Sequence, residues 1–136
     1  MNYSVAQLTT TTECDAVLAM IAKEKGDLQF RQTGLSRQQT NYADNSVEIS
    51  TELAAVNAEI AAYTSIMAGL PAGPSKDEAE VKLKKLEYRQ FLLSERQEDF
   101  GSVALMEKEM ELGMVEKQLA ELDVFEAAIT ARKAAL

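Results

Sequence analysis

Apolar and aromatic residues recur at every seventh position through the first half of the chain. The nine members of this row are Cys14, Ile21, Leu28, Leu35, Tyr42, Ile49, Val56, Tyr63 and Leu70. A companion row lies three residues earlier and contains polar members: Leu18, Lys25, Gln32, Gln39, Ser46, Leu53, Ile60 and Met67. An unbroken seven-residue repeat is typical of a left-handed coiled coil, and its constant phase predicts one continuous helix over 12–68.

The second half of the chain carries the same repeat with one shift of register. Its first buried rows are predicted to contain Ala79, Leu83, Leu86, Gln90, Leu93, Gln97, Phe100 and Ala104. After Gly101 the repeat moves by one residue, to Leu105, Leu112, Val115, Leu119, Leu122, Ile129 and Leu136. Because the apolar periodicity stays helical on both sides of this shift, it predicts a second helix over 76–134.

The strongest break signals lie between the two halves, where both prolines of the chain fall. Gly69 can adopt the left-handed conformation that ends a helix, and Pro71 then prevents the helix from continuing. Ser75 is followed three residues later by Glu78, the capping-box pattern that begins a helix. We therefore predict a turn over 69–75.

The N-terminal segment 1–11 lies outside both helical repeats and is predicted to form an arm. Thr12, with Asp15 three residues later, offers an N-terminal cap for the first helix. The arm carries apolar side chains that can pack back onto the helices: Tyr3, Val5 and Leu8. Together these segments predict a single all-helical domain over 1–136.

The fold class predicted from this pattern is all-α, a long antiparallel hairpin of two coiled-coil helices. If the chain folds back around residue 72, Tyr42 of the first helix lies near Phe100 of the second. The alternative is a compact four-helix bundle, because two stretches of low helix propensity, 41–46 and 99–102, could each interrupt a helix. The sequence by itself leaves open whether the first helix is continuous through 41–46.

The composition excludes several kinds of chemistry. The chain has 136 residues and no histidine, so it can form neither a Ser-His-Asp nor a Cys-His nucleophile, nor a histidine-based metal site. Neither a calcium-loop pattern nor a phosphate-binding glycine loop appears. We therefore expect no catalytic residues, no metal site and no cofactor, and interpret the protein as a non-enzyme.

Charge and targeting signals narrow the partners and the location. The net charge is −8, with nine acidic residues against two lysines in segment 98–126, so a nucleic-acid partner is not expected. Cys14 is the only cysteine, which excludes an intramolecular disulfide and fits a reducing compartment. No signal-peptide pattern and no long apolar run occur, so we expect a cytoplasmic protein with no membrane partner.

Two candidate protein-interaction surfaces follow from apolar residues outside the main rows. The first is a stripe on the second helix, which we call the methionine stripe: Val103, Met106, Met110 and Met114. The second is the turn, where Leu70 and Pro71 combine apolar character with rigidity. A two-helix hairpin buries only one stripe per helix, so a wider apolar face implies a further partner, for which a second copy of the chain is a natural candidate.

We interpret the sequence as a non-enzymatic coiled-coil interaction or scaffolding protein. It would self-associate, as a homodimer, and contact another protein of unknown identity through its helix faces. Replacing Met106 and Met110 by lysine should then weaken association without loss of helicity. The alternative is a holdase-like chaperone or secretion-partner helper, followed by a helical bundle that binds a small molecule. The biological process and the orientation of a dimer are not determined by the sequence.

Overall fold

The structure, a computed structural model, describes residues Met1–Leu136 and consists of helices and short connections, without strands. A short 3-10 helix, Val5–Gln7, precedes three α-helices: α1, Thr11–Gly69; α2, Pro74–Phe100; and α3, Ser102–Ala134. The fold class is an all-α helical hairpin, as predicted. Its contacts form two units: a turn unit, Gln39–Glu107, and a terminal unit, Met1–Gln38 with Lys108–Leu136.

In the turn unit, the second half of α1 packs antiparallel against α2. The predicted rows supply its core, which contains four fully or nearly fully buried aliphatic side chains: Ile49, Val56, Leu86 and Leu93. Tyr42 contacts Phe100, with ring centroids 5.2 Å apart, so the predicted antiparallel register is confirmed at this pair. Closer to the turn, the Lys82 ammonium lies over the Tyr63 ring, 5.0 Å from its centroid. These aromatic contacts add to the energy of apolar burial.

Helix α1 is continuous through 41–46, so the first break required by the four-helix alternative is absent. The side chain of Asn45 explains how this weakly helical stretch remains helical. Its Nδ2 donates to the Asn41 carbonyl at 2.8 Å, and its Oδ1 accepts from Arg96 Nη2 of α2 at 3.0 Å. Tertiary contacts of this kind override local propensity.

The turn differs from the prediction at its C-terminal end. Helix α2 begins at Pro74, not at Lys76, and Ser75 lies inside its first turn, so the predicted capping box of Ser75 and Glu78 is wrong. Gly73 occupies the N-cap position with φ 157°, a conformation that L residues rarely adopt. Proline is well suited to the first helical position, since its φ is already helical and its missing N–H has no intrahelical partner.

The second predicted helix, 76–134, is interrupted at Gly101, which separates α2 from α3 and lies in the stretch 99–102 that the four-helix alternative named as a possible break. Gly101 has extended dihedrals, φ −80° and ψ −168°, and is buried. A Cβ atom at this position would lie 2.1 Å from the Gln97 carbonyl oxygen. The backbone therefore approaches too closely here for any side chain. The break coincides with the one-residue shift in the apolar repeat.

The terminal unit pairs the first half of α1 with α3 and has its own core. Cys14, Ile21 and Ile129 are buried together in this core. Partly buried apolar side chains surround them: Val5, Leu8, Val17, Leu18, Leu122 and Phe125. The heptad row and the predicted arm residues thus meet in one cluster.

The arm packs back onto α3, as expected from its apolar side chains. The Tyr3 ring stacks on Phe125 with centroids 4.2 Å apart, and its hydroxyl donates to the Glu121 carboxylate. Arg132 holds the arm backbone, since its Nε donates to the Leu8 carbonyl at 2.9 Å. The arm therefore covers the ends of α1 and α3 in this unit.

Helix α1 begins one residue before the predicted start, and a different residue pair caps it. The Glu13 carboxylate accepts from the backbone N–H groups of Thr9 and Thr10, at 2.7 and 3.0 Å. In return, the Glu13 N–H donates to Thr10 Oγ1 at 3.2 Å. This is a reciprocal capping box two residues upstream of the predicted pair, Thr12 and Asp15.

Candidate interaction surfaces

Large apolar side chains occupy the side of α2 that points away from its buried row. Ala79, Leu86 and Leu93 face the core of the turn unit. On the opposite side are four residues whose exposed fraction lies between 45% and 64%: Val81, Tyr88, Phe91 and Leu92. With the charged residues beside them, they form the α2 outer face: Val81, Lys84, Lys85, Tyr88, Phe91, Leu92, Glu95, Glu98 and Asp99.

The methionine stripe on α3 is likewise exposed. The exposed fractions of its four members lie between 59% and 81%. Val103 and Met106 belong to the turn unit, whereas Met110 and Met114 belong to the terminal unit. In the terminal unit, the buried side of α3 is marked by Val115. The predicted stripe is thus free of contacts that would bury it within its own chain.

The turn residues do not join the methionine stripe. Leu70 is partly buried and Pro71 is exposed, and both precede α2. Val103 and Met106 follow the end of α2, whose 27 residues span about 40 Å. Within the turn unit, the structure therefore separates Leu70 and Pro71 from Val103 and Met106.

Sequence reasoning did not identify the apolar part of the α2 outer face. The signal was present, since Val81 and Tyr88 are seven residues apart and keep a constant offset of two from the buried Ala79 and Leu86. This weaker stripe is hard to recognise in the sequence because the stronger apolar rows beside it account for the helical pattern. A helix with apolar stripes on opposite sides is typical of one that packs against two neighbours.

The charge on the α2 outer face changes sign along the helix. Lys84 and Lys85 lie in its first half, and Glu95, Glu98 and Asp99 lie in its second half. All five are exposed, and none forms a salt bridge within the chain. The apolar centre is therefore flanked by a basic end and an acidic end.

Lys25, the charged member of the companion row, forms ion pairs within the terminal unit. Lys25 Nζ lies 2.7 Å from Asp123 and 2.6 Å from Glu126. These carboxylates raise the pKa of Lys25, with Asp123 the larger cause, because they stabilise the ammonium form. This ion-pair cluster links α1 to α3 and accounts for a charged residue in the predicted companion row.

The other shifted ionisable groups also belong to contacts that hold the fold. The hydrogen bond to Glu121 raises the pKa of Tyr3, whereas the N–H groups of Thr9 and Thr10 lower the pKa of Glu13. No cluster of three or more potential ligand side chains is placed to hold a metal ion. The grooves are open, such as one of about 430 Å³ lined by Val81 and Lys85. The surface therefore consists of helix faces and open grooves.

Comparison with known proteins adds no relatives. No protein-family model matches the chain. Neither a curated protein nor a solved structure matches it. No helix of the structure has the length and apolar character needed to cross a bilayer. The two exposed apolar faces remain the features that bear on function.

Proposed function

We propose that this chain is a non-enzymatic interaction or scaffolding protein that self-associates, as a homodimer, and binds another protein through its helix faces. The observation that supports this proposal is the exposure of large apolar side chains on the α2 outer face and on the methionine stripe. Contiguous apolar surface of this kind marks protein-interaction sites on folded proteins. Since both faces lie on helices, the partners they fit best are other helices.

The two faces differ in chemistry and suit different partners. The methionine stripe consists of flexible, polarisable side chains that adapt to a variable surface. The α2 outer face instead presents Tyr88 and Phe91, which are stiffer and favour a defined contact. The net charge of −8 favours protein partners over nucleic acids, and the free thiol of Cys14 fits a reducing cytoplasm.

The adaptable methionine stripe also supports a second candidate function, a holdase-like chaperone or secretion-partner helper. Such a protein keeps another helical chain soluble by covering its apolar face. It should suppress the aggregation of a helical client, as measured by light scattering. No suppression at a several-fold molar excess would contradict this second function.

The main proposal is tested by sedimentation velocity across a concentration series. We expect the wild type to associate. A lysine that replaces an exposed apolar residue should weaken this association if the substituted face is the self-association surface. Met106→Lys and Met110→Lys probe the methionine stripe, and Leu92→Lys probes the α2 outer face. Met20→Lys, at an exposed methionine of α1, is the matched control. Circular dichroism should show unchanged helicity in all variants.

The outcomes separate the surfaces. If the Leu92 variant loses assembly and the Met20 variant does not, the α2 outer face is the self-association surface. If the two stripe variants lose assembly and the Met20 variant does not, that surface is the methionine stripe. If both stripe variants assemble like the wild type, the methionine stripe is not the self-association surface. A wild type that stays monomeric at every concentration contradicts self-association.

A further inference from the structure

We propose that the α2 outer face pairs with the same face of a second copy, antiparallel, about a two-fold axis between Phe91 and Leu92. This inference rests on the proposed function, because it names the surface and the geometry of self-association. A two-fold contact uses one patch twice, so the patch has to be complementary to itself. The α2 outer face has this property.

Two parallel rows on α2 carry the same order of chemistry. Lys84, Phe91 and Glu98 are seven residues apart, so they follow one another along the helix surface. Lys85, Leu92 and Asp99 form the adjacent row with the same spacing. Each row therefore runs from a basic residue through a large apolar residue to an acidic residue. The centre of both rows lies between residues 91 and 92.

An antiparallel pairing about this centre matches each lysine with an acid. Because the two-fold axis sets each row against the same row of the partner, Lys84 of one copy lies opposite Glu98 of the other, and Lys85 lies opposite Asp99. Phe91 and Leu92 meet the same residues of the second copy at the centre, and Tyr88 lies level with Glu95. A parallel pairing in register would instead place lysine against lysine and acid against acid, which disfavours it. Charge complementarity thus favours a second copy of the chain as the partner and an antiparallel direction for its α2 helix.

The pairing also covers the exposed apolar residues in the middle of the α2 outer face. Tyr88, Phe91 and Leu92 lie in the middle of the face, and Val81 lies toward the turn, two residues after the buried Ala79. An apolar centre with a charged rim is the usual arrangement of a protein interface. The lysines and acids of the rim have no internal salt bridges to lose on pairing. The contact from residue 84 to residue 99 is about 22 Å long.

A charge-swap experiment tests this geometry. The first variant is Lys84→Glu with Lys85→Glu, and the second is Glu98→Lys with Asp99→Lys. Each variant alone brings like charges together at both ends of the antiparallel pair. An equimolar mixture restores opposite charges at every position of a heterodimer. Sedimentation velocity and multi-angle light scattering at low salt measure the masses, and circular dichroism confirms that each variant is helical.

We expect a dimeric wild type, dimerisation weakened about tenfold or more in each variant alone, and a heterodimer in the mixture. A matched control, Lys23→Glu with Arg37→Glu, makes the same charge change at exposed positions of α1 and should leave the dimer intact. Because only the mixture restores complementarity, a variant that simply misfolded would not be rescued.

The contrary outcomes distinguish the inference from the proposed function. If the wild type dimerises and both charge variants dimerise equally tightly, the α2 pairing is overturned while self-association stands. If each variant dissociates but the mixture does not recover, the antiparallel geometry is overturned. If the wild type is monomeric throughout the concentration series, the self-association in the proposed function fails together with the pairing.

Discussion

Replacing Gly101 by alanine should destabilise the protein, although alanine is the better helix former. The dihedrals of Gly101 are accessible to other residues, since its φ is −80°. The obstacle is space, because a Cβ atom would lie 2.1 Å from the Gln97 carbonyl oxygen and 2.9 Å from the Gln97 Cγ. The carbonyl oxygen belongs to the last turn of α2, so a change of rotamer cannot remove the clash.

The size of the effect follows from the required movement. The added carbon would lie more than 1 Å inside the 3.4 Å at which ordinary van der Waals contact begins, so the backbone around the break has to shift. Overpacking and backbone displacement of this kind cost about 1–3 kcal/mol. We expect Gly101→Ala to lower the free energy of unfolding by about 2 kcal/mol and the melting temperature by about 7 °C.

Gly113 of α3 provides the matched control. It lies inside a helix, and a Cβ atom there would have no neighbour within 4 Å. Gly113→Ala should therefore raise the free energy of unfolding by about 0.5–1 kcal/mol. Thermal and urea unfolding followed by circular dichroism measure both variants. If Gly101→Ala stabilises the protein as Gly113→Ala does, the chain can form a continuous helix through this position, and close packing does not impose the break.

Four further predictions concern the terminal unit. Thr10→Ala should remove one half of the capping box and destabilise α1 by about 1 kcal/mol, measured by urea unfolding. The pKa of Glu13 is lowered in the folded protein, so the stability contributed by its carboxylate should be complete above pH 4.5, the ordinary pKa. This stability should be lost as the pH falls through the folded pKa. A Glu13→Gln variant should lack this acid dependence. The hydrogen bond to Glu121 raises the pKa of Tyr3 in the folded protein. The stability contributed by this hydrogen bond should therefore be complete below pH 10.0, the ordinary pKa, and lost as the pH rises through the folded pKa. Tyrosinate absorbance of the wild type, compared with that of Tyr3→Phe, measures this titration. Cys14 is fully buried, so its thiol should react with a disulfide reagent only as fast as the unit opens; reaction at the rate of a free thiol would contradict its place in the core.

Much of the buried surface could be predicted from the seven-residue repeat. All nine members of the first row, from Cys14 to Leu70, are buried or partly buried, and so is every member of its companion row, including Lys25. The reason is geometric, because a repeat of seven residues keeps one side of a helix in contact with a neighbour over its whole length. The antiparallel register follows from the same repeat, as the contact of Tyr42 with Phe100 shows.

The repeat was less reliable near the break and at the chain end. Gln97 and Leu136 were placed on buried rows, yet both are exposed. Gln97 lies in the last turn before Gly101, where α2 ends and its phase with the neighbouring helix is lost. Leu136 follows the end of α3, where no helical geometry directs its side chain inward. Periodicity predicts burial only where the helix and its partner both continue.

The helical class, the turn near the two prolines and the two rows that meet in the cores are all readable from the sequence. These features depend on local periodicity and on residues that end helices, which act over a few positions. The sequence also marks 99–102 as a possible break, but the structure is needed to show that the break forms there and not at 41–46, and to identify the partners of Lys25. The partners of Lys25 are distant in the sequence, and the break at Gly101 involves a close approach to the Gln97 carbonyl oxygen, which no short pattern of residue types specifies. The α2 outer face also requires the three-dimensional structure. An apolar stripe can be recognised as exposed only when the structure shows which side of the helix is covered by a neighbour.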